Sequence, residues 1–295
     1  MQGEGTYFDS LIIRKFASPE PSVGAPGAET LMTSGAGSAK FYTSLANANS
    51  DTGGVASPQY TLSSGVVPIY VRDNLVETIA LTATDAGSKT GTSGPITVQV
   101  APANKIVFTS TAQTLVAGAA SAAYTVEVRD QYDNLRTSDA LALTLSSSSG
   151  VGKFDTSAGG AFTNSTININ TVNGIGTFFY KDTVTGTPTI TVSCTGLTSG
   201  TQAQTITPAA VSASTSTISV SPTSIAAGGS AATITVTAKD QYSNLISGIA
   251  AANVVIASTG TGNTLVQPAA ATNASGQTTG TITSTKAEAK TISVT

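Results

Sequence analysis

An internal repeat sets the first bound on what this chain can fold into. The stretch VRDQYDNL at residues 128–135 returns as AKDQYSNL at 238–245, 110 residues later, and self-similarity at a fixed period separates an array of like units from one continuous domain. The flanking strands repeat with it. Tyr124, Val126 and Val128 alternate with polar residues in AYTVEVRD, and Ile234, Val236 and Ala238 do so in TITVTAKD at the same offset. Alternation of period two puts one set of side chains on a buried sheet face. Gly118 and Gly228 hold equivalent places upstream, where a tight turn leads into the strand.

Other segments extend the repeat. GIGTFFYKDTVTGTPTITVS at 174–193 lies over GVVPIYVRDNLVETIALTAT at 65–84, which sets Lys181-Asp182 on Arg72-Asp73; GKFDTS at 152–157 matches AKFYTS at 39–44. KTISVT at 290–295 aligns with PTITVS at 188–193, but the strands that follow in the other two copies, TQAQTITPA and GPITVQVAP, have no counterpart after it. The expected layout is an N-terminal remnant strand and linker over 1–30, a partial repeat over 31–103 without its opening strands, a complete repeat over 104–209, and a repeat over 210–295 lacking its last strand. A sandwich without that strand exposes unpaired backbone along an edge.

Composition agrees with strands throughout. Only 10% of the 295 residues are charged, 29 are Gly, and there is neither Trp nor His. Small and β-branched residues replace the Leu, Glu, Lys and Arg that favour helices, so the predicted fold class is all-β. A net charge of −3 gives no basic footprint for nucleic acid. No apolar run is long enough to span a bilayer as a helix, and MQGEGTYFDS has neither the basic start nor the apolar core of a secretion signal. Cys194 is the one cysteine, so the units rest on apolar burial rather than on internal disulfides.

Units of about 100 residues with short alternating strands and Gly-rich turns fit immunoglobulin-like β-sandwiches. ISVSPTSIAAGGSAATITVTAKDQYSNLISG, followed by TGTGNTLVQPAAATNASGQTTGTITST, resembles the bacterial immunoglobulin-like repeats of the invasin and intimin adhesins. The resemblance implies a segment of an exported, cell-surface stalk, although neither the family's outer-membrane barrel nor its lectin-like tip is present. The opening YFDSLIIRKFASPEPSVG resembles the end of a jelly-roll, lectin-like domain.

Candidate chemistry is sparse. Without histidine the common triads and usual zinc sites are missing, and the acids Asp130, Asp133, Asp139, Asp182 and Asp240 fall on scattered predicted turns. No catalytic, cofactor-binding or metal residue is assigned and no cofactor is expected. Asp130, Asp133 and Asn134 could supply oxygens to calcium, but Ser243 replaces Asp133 in the second copy. The DQYDN and DQYSN compositions therefore read as turns held by side chain to backbone hydrogen bonds, with the rings of Tyr132 and Tyr242 over the end of the core and their hydroxyls in solvent. Cys194, in phase with Ile190 and Val192, reads as a small buried hydrophobe. Asn164 and Asn273 begin N-x-S/T triplets in loops.

The expected function is that of a non-enzymatic spacer: tandem sandwiches joined by short linkers such as APANK at 101–105, at the cell surface or outside the cell. Its partners would be neighbouring domains of the same or a longer chain, with no nucleic acid and no membrane insertion. Alternatives are a filament subunit in which DSLIIRKFA fills the open edge of the next molecule's third repeat, and a calcium- or carbohydrate-binding module.

Overall fold

The computed structural model describes residues 11–14, 28–36, 38–63 and 66–295. The molecule is all-β, a tandem series of immunoglobulin-like sandwiches with three separate apolar cores. These are built around Leu31, Phe41 and Ile69; around Tyr124, Leu145 and Phe178; and around Ile234, Ile256 and Ile282. Tyr124, Val126 and Val128 are fully buried, and Ile234, Val236 and Ala238 occupy the matching strand of the third core. The repeat thus fixes the inward face of equivalent strands in both units.

The middle sandwich has two four-stranded sheets. One sheet runs in the order Lys105–Phe108, Tyr124–Arg129, Ile175–Lys181, Lys153–Asp155, and the other Ile167–Asn170, Ala142–Ser147, Thr189–Ser193, Gly200–Ala203. Thr114–Val116 pairs in parallel with Thr205–Thr207 and joins the two layers at one side. Aromatic rings fill the interior. Tyr124 stacks on Phe178 at 5.3 Å between centroids, and Phe154 packs edge-on to Phe178 at 6.0 Å. Burying each ring stabilises by roughly 1.5–3 kcal/mol, and the Tyr180 hydroxyl, which would otherwise be stranded, donates to Asp182 at 2.6 Å. Cys194 lies half-buried against this core.

The first sandwich takes in a strand from the N-terminal segment. Leu11–Arg14 pairs antiparallel with Val66–Ile69, the place that Tyr124–Arg129 takes beside Ile175–Lys181 in the middle unit. It is a strand of the first sandwich, and Ala28–Thr33 begins the other sheet. The remainder of the jelly-roll resemblance lies outside the described residues. One short helix, Leu45–Ser50, interrupts the strands. Ser44 caps it by accepting from the Asn47 N–H at 3.2 Å, and Asp51 ends it in the left-handed region.

In the third sandwich one sheet is complete and the other is reduced. Thr217–Ser221, Ala232–Thr237, Gln277–Ser284 and Asn263–Val266 form four strands in that order, whereas Ile256–Ser258 pairs only with Ile292–Val294 among the described residues. No helix in the described residues is long and apolar enough to cross a membrane.

Candidate functional site

The repeated DQYxN phrase lies where one sandwich meets the next, and both copies build the same joint. In the first joint the Asp130 carboxylate accepts the backbone N–H groups of Tyr132 (2.8 Å) and Asn134 (2.9 Å) on one oxygen. Its other oxygen accepts the Asn134 side-chain amide (2.9 Å) and the N–H of Ala101 in the incoming linker (3.0 Å). In the second joint Asp240 accepts the same set: Tyr242 N–H and Asn244 N–H at 2.9 Å, the Asn244 amide at 2.8 Å, and the linker N–H of Ala209 at 2.9 Å. Both carboxylates are fully buried. Buried acceptors of this kind are stable only when their lone pairs are occupied.

The asparagine carries the connection across. Asn134 donates to the Asn74 carbonyl at 2.7 Å and accepts from the Val76 N–H at 3.3 Å, both in the preceding sandwich. Asn244 repeats this on the Thr183 carbonyl (2.8 Å) and the Thr185 N–H (3.1 Å). One carboxylate and one amide therefore tie three segments together: their own turn, the linker, and a loop of the previous unit. The residue between Tyr and Asn is left-handed in both copies, with φ of 73° at Asp133 and 69° at Ser243, a conformation that short polar side chains tolerate.

Tyr132 does not have the solvent-facing role expected of it, whereas Tyr242 is exposed. The Tyr132 hydroxyl accepts from the Arg72 guanidinium at 2.6 Å, with the cation 5.6 Å from the ring centroid. Arg72 is itself anchored by the carbonyls of Ala48 (3.0 Å) and Asn49 (3.2 Å) at the end of the short helix. Tyr242 instead lies against Gly118 of the middle sandwich, so closely that any side chain there would collide with its hydroxyl. The first joint is further braced by Arg136, which forks onto Asp139 (2.7 and 2.8 Å) and donates to the Ala101 carbonyl at 2.8 Å.

The calcium grouping does not assemble. All the Asp130 bonds above come from N–H donors, and Asp133 turns outward to Lys105 (2.9 Å) and Arg129 (3.6 Å). Among the described residues no three His, Cys, Asp or Glu side chains converge. Asp155, Asp139 and Asp182 serve local turns or pairs, with Asp155 accepting from Ser157 and Phe162 N–H. Burial acts to raise the Asp240 carboxyl, but hydrogen bonds from Asn244, Ala209 and Tyr242 outweigh it and hold the group below the usual carboxylate range.

The role of Asn134 and Asn244 as cross-unit contacts was missed in the sequence. The available signal was internal: the amide is kept in both copies while its neighbour changes from Asp to Ser.

Residues 212–295, the third sandwich, match the family model described as invasin, domain 3. No curated protein sequence matches the chain. Among solved structures, invasin, a bacterial integrin-binding protein, is 16% identical with a TM-score of 0.43 over 91% of this chain and 49% of its own. The Escherichia coli adhesin FdeC is 14% identical with a TM-score of 0.42 over 94% of this chain and 83% of its own. InvD of Yersinia pseudotuberculosis is 20% identical with a TM-score of 0.38, covering 64% and 51%. The chain thus spans about half the length of the invasin structure.

Proposed function

We infer that this chain is a non-enzymatic spacer segment of an exported, adhesin-like bacterial surface protein. Its sandwiches hold distance, and its joints limit the bending between them. The observation that carries this reading is the duplicated joint, in which Asp130-Asn134 and Asp240-Asn244 make matching bonds to linker and preceding unit. A connection that served only to link domains would need no buried carboxylate; a default interdomain contact is mobile unless something fixes it. The family match over 212–295 supports placement at the cell surface. Scattering from the intact chain and from an Asn134→Ala/Asn244→Ala double variant tests the reading. The native protein should scatter as an extended particle with a narrow size distribution, and the variant as a broader ensemble with its sandwiches still folded. A compact native particle, or a variant indistinguishable from native, refutes it.

A further inference from the structure

The first and middle sandwiches each place a pair of cations at the same site, and only the first neutralises it. Lys40 faces Arg72 and Lys153 faces Lys181, in register on adjacent strands, and the repeat aligns the two pairs. Like charges directly opposite one another repel. In the first unit the residues that follow relieve this. Asp51 pairs with Lys40 at 3.4 Å, and the carbonyls of Ala48 and Asn49 at the end of the helix accept from Arg72. In the middle unit the corresponding stretch, 156–163, is a loop that carries no acid. Among the described residues no ion pair reaches Lys153 or Lys181. Lys181 is held instead at 5.8 Å from the ring centroid of Phe162, whose φ of 50° is strained for a bulky side chain.

An aromatic ring lies beside this pair. Phe179, on the same strand as Lys181, is half-buried on the outer face between the buried Phe178 and Tyr180, and it stands opposite Asp155 on the edge strand. Strand alternation puts Lys153, Asp155, Phe179 and Lys181 on one side of the sheet. We propose that this face binds an acidic glycan, with a uronate carboxylate between Lys153 and Lys181 and the apolar side of a sugar ring on Phe179. This activity goes beyond spacing and does not rest on it. The first unit shows what such a cation pair takes: a carboxylate and carbonyl oxygens. Asp155 sets the second requirement. It accepts the N–H groups of Ser157 and Phe162, which fixes it beside the ring. There it repels a ligand that carries carboxylates alone, whereas a sugar hydroxyl can donate to it. A uronate, with one carboxylate and several hydroxyls on one ring, meets both demands.

The test titrates the full chain calorimetrically with oligosaccharides of galacturonate, alginate and hyaluronate. At least one should bind, and its affinity should fall with added salt. The methyl ester of that oligosaccharide, which keeps the sugar and removes the charge, should bind about tenfold more weakly or worse, and so should a polyglutamate peptide of equal charge. Lys153→Gln/Lys181→Gln and, separately, Phe179→Ser should each weaken binding about tenfold or more with an unchanged circular dichroism spectrum. Lys40→Gln, in the neutralised pair of the first unit, should leave binding as it is. Four outcomes overturn the proposal: no uronate binds, the methyl ester binds equally well, polyglutamate binds as tightly, or both variants bind like the native chain. In the first case the two lysines serve only to keep the edge strand from pairing with another sheet.

Discussion

A single carboxylate decides whether each joint holds. Asp240 is buried with N–H donors around both oxygens, so Asp240→Ala leaves several donors without partners and should destabilise the third sandwich by about 3 kcal/mol, read as a shift in its denaturant midpoint. Its pH dependence follows from the direction of the shift. The folded carboxyl lies below its ordinary value, so its contribution is fully present above the unfolded value of about 4. That contribution is lost as the pH falls through the lower folded value. Thermal unfolding of the third sandwich, followed from pH 7 to pH 2, should lose stability more steeply below about pH 4 in the native chain than in Asp240→Ala. Parallel curves for the two proteins would exclude Asp240 as the source.

At the scale of elements, the two equivalent glycines give a matched comparison. Gly118 and Gly228 both have positive φ, 81° and 73°, but Tyr242 lies on Gly118 and nothing lies within 4 Å of the position a Gly228 side chain would occupy. Gly228→Ala should therefore show backbone strain alone, about 1 kcal/mol. Gly118→Ala should show the same strain and also displace Tyr242, raising amide exchange at the second joint. The strands were legible because alternation is written locally, as in Tyr124, Val126 and Val128. The joint was legible only as a turn. Asn134 and Asn244 reach partners 58 to 61 residues away, and no local pattern records where a side chain lands on another unit. The helix Leu45–Ser50 escaped for a different reason: six residues are too few to display a helical period. Core composition separates the units as well. Ile234 and Gly280 stand where Tyr124 and Phe178 stack, so the third sandwich should unfold at a lower denaturant concentration than the middle one, with two resolved transitions by calorimetry.

For the molecule as a whole, each joint is assembled from parts carried by both neighbours. The middle sandwich offers a receiving loop at one end, Thr183–Thr185, and a DQYxN turn at the other, while the first sandwich contributes the receiving loop Asn74–Val76. Joining Val100 directly to Ala209, which removes the middle sandwich, should bring Asn244 onto Asn74 and keep the third sandwich coupled to the first. Residual dipolar couplings that report independent tumbling of the two would contradict it. Because the middle module carries both plug and socket, recombination in the gene that adds or removes copies of it can lengthen or shorten such a strut in whole increments, and no compensating change is required at the splice.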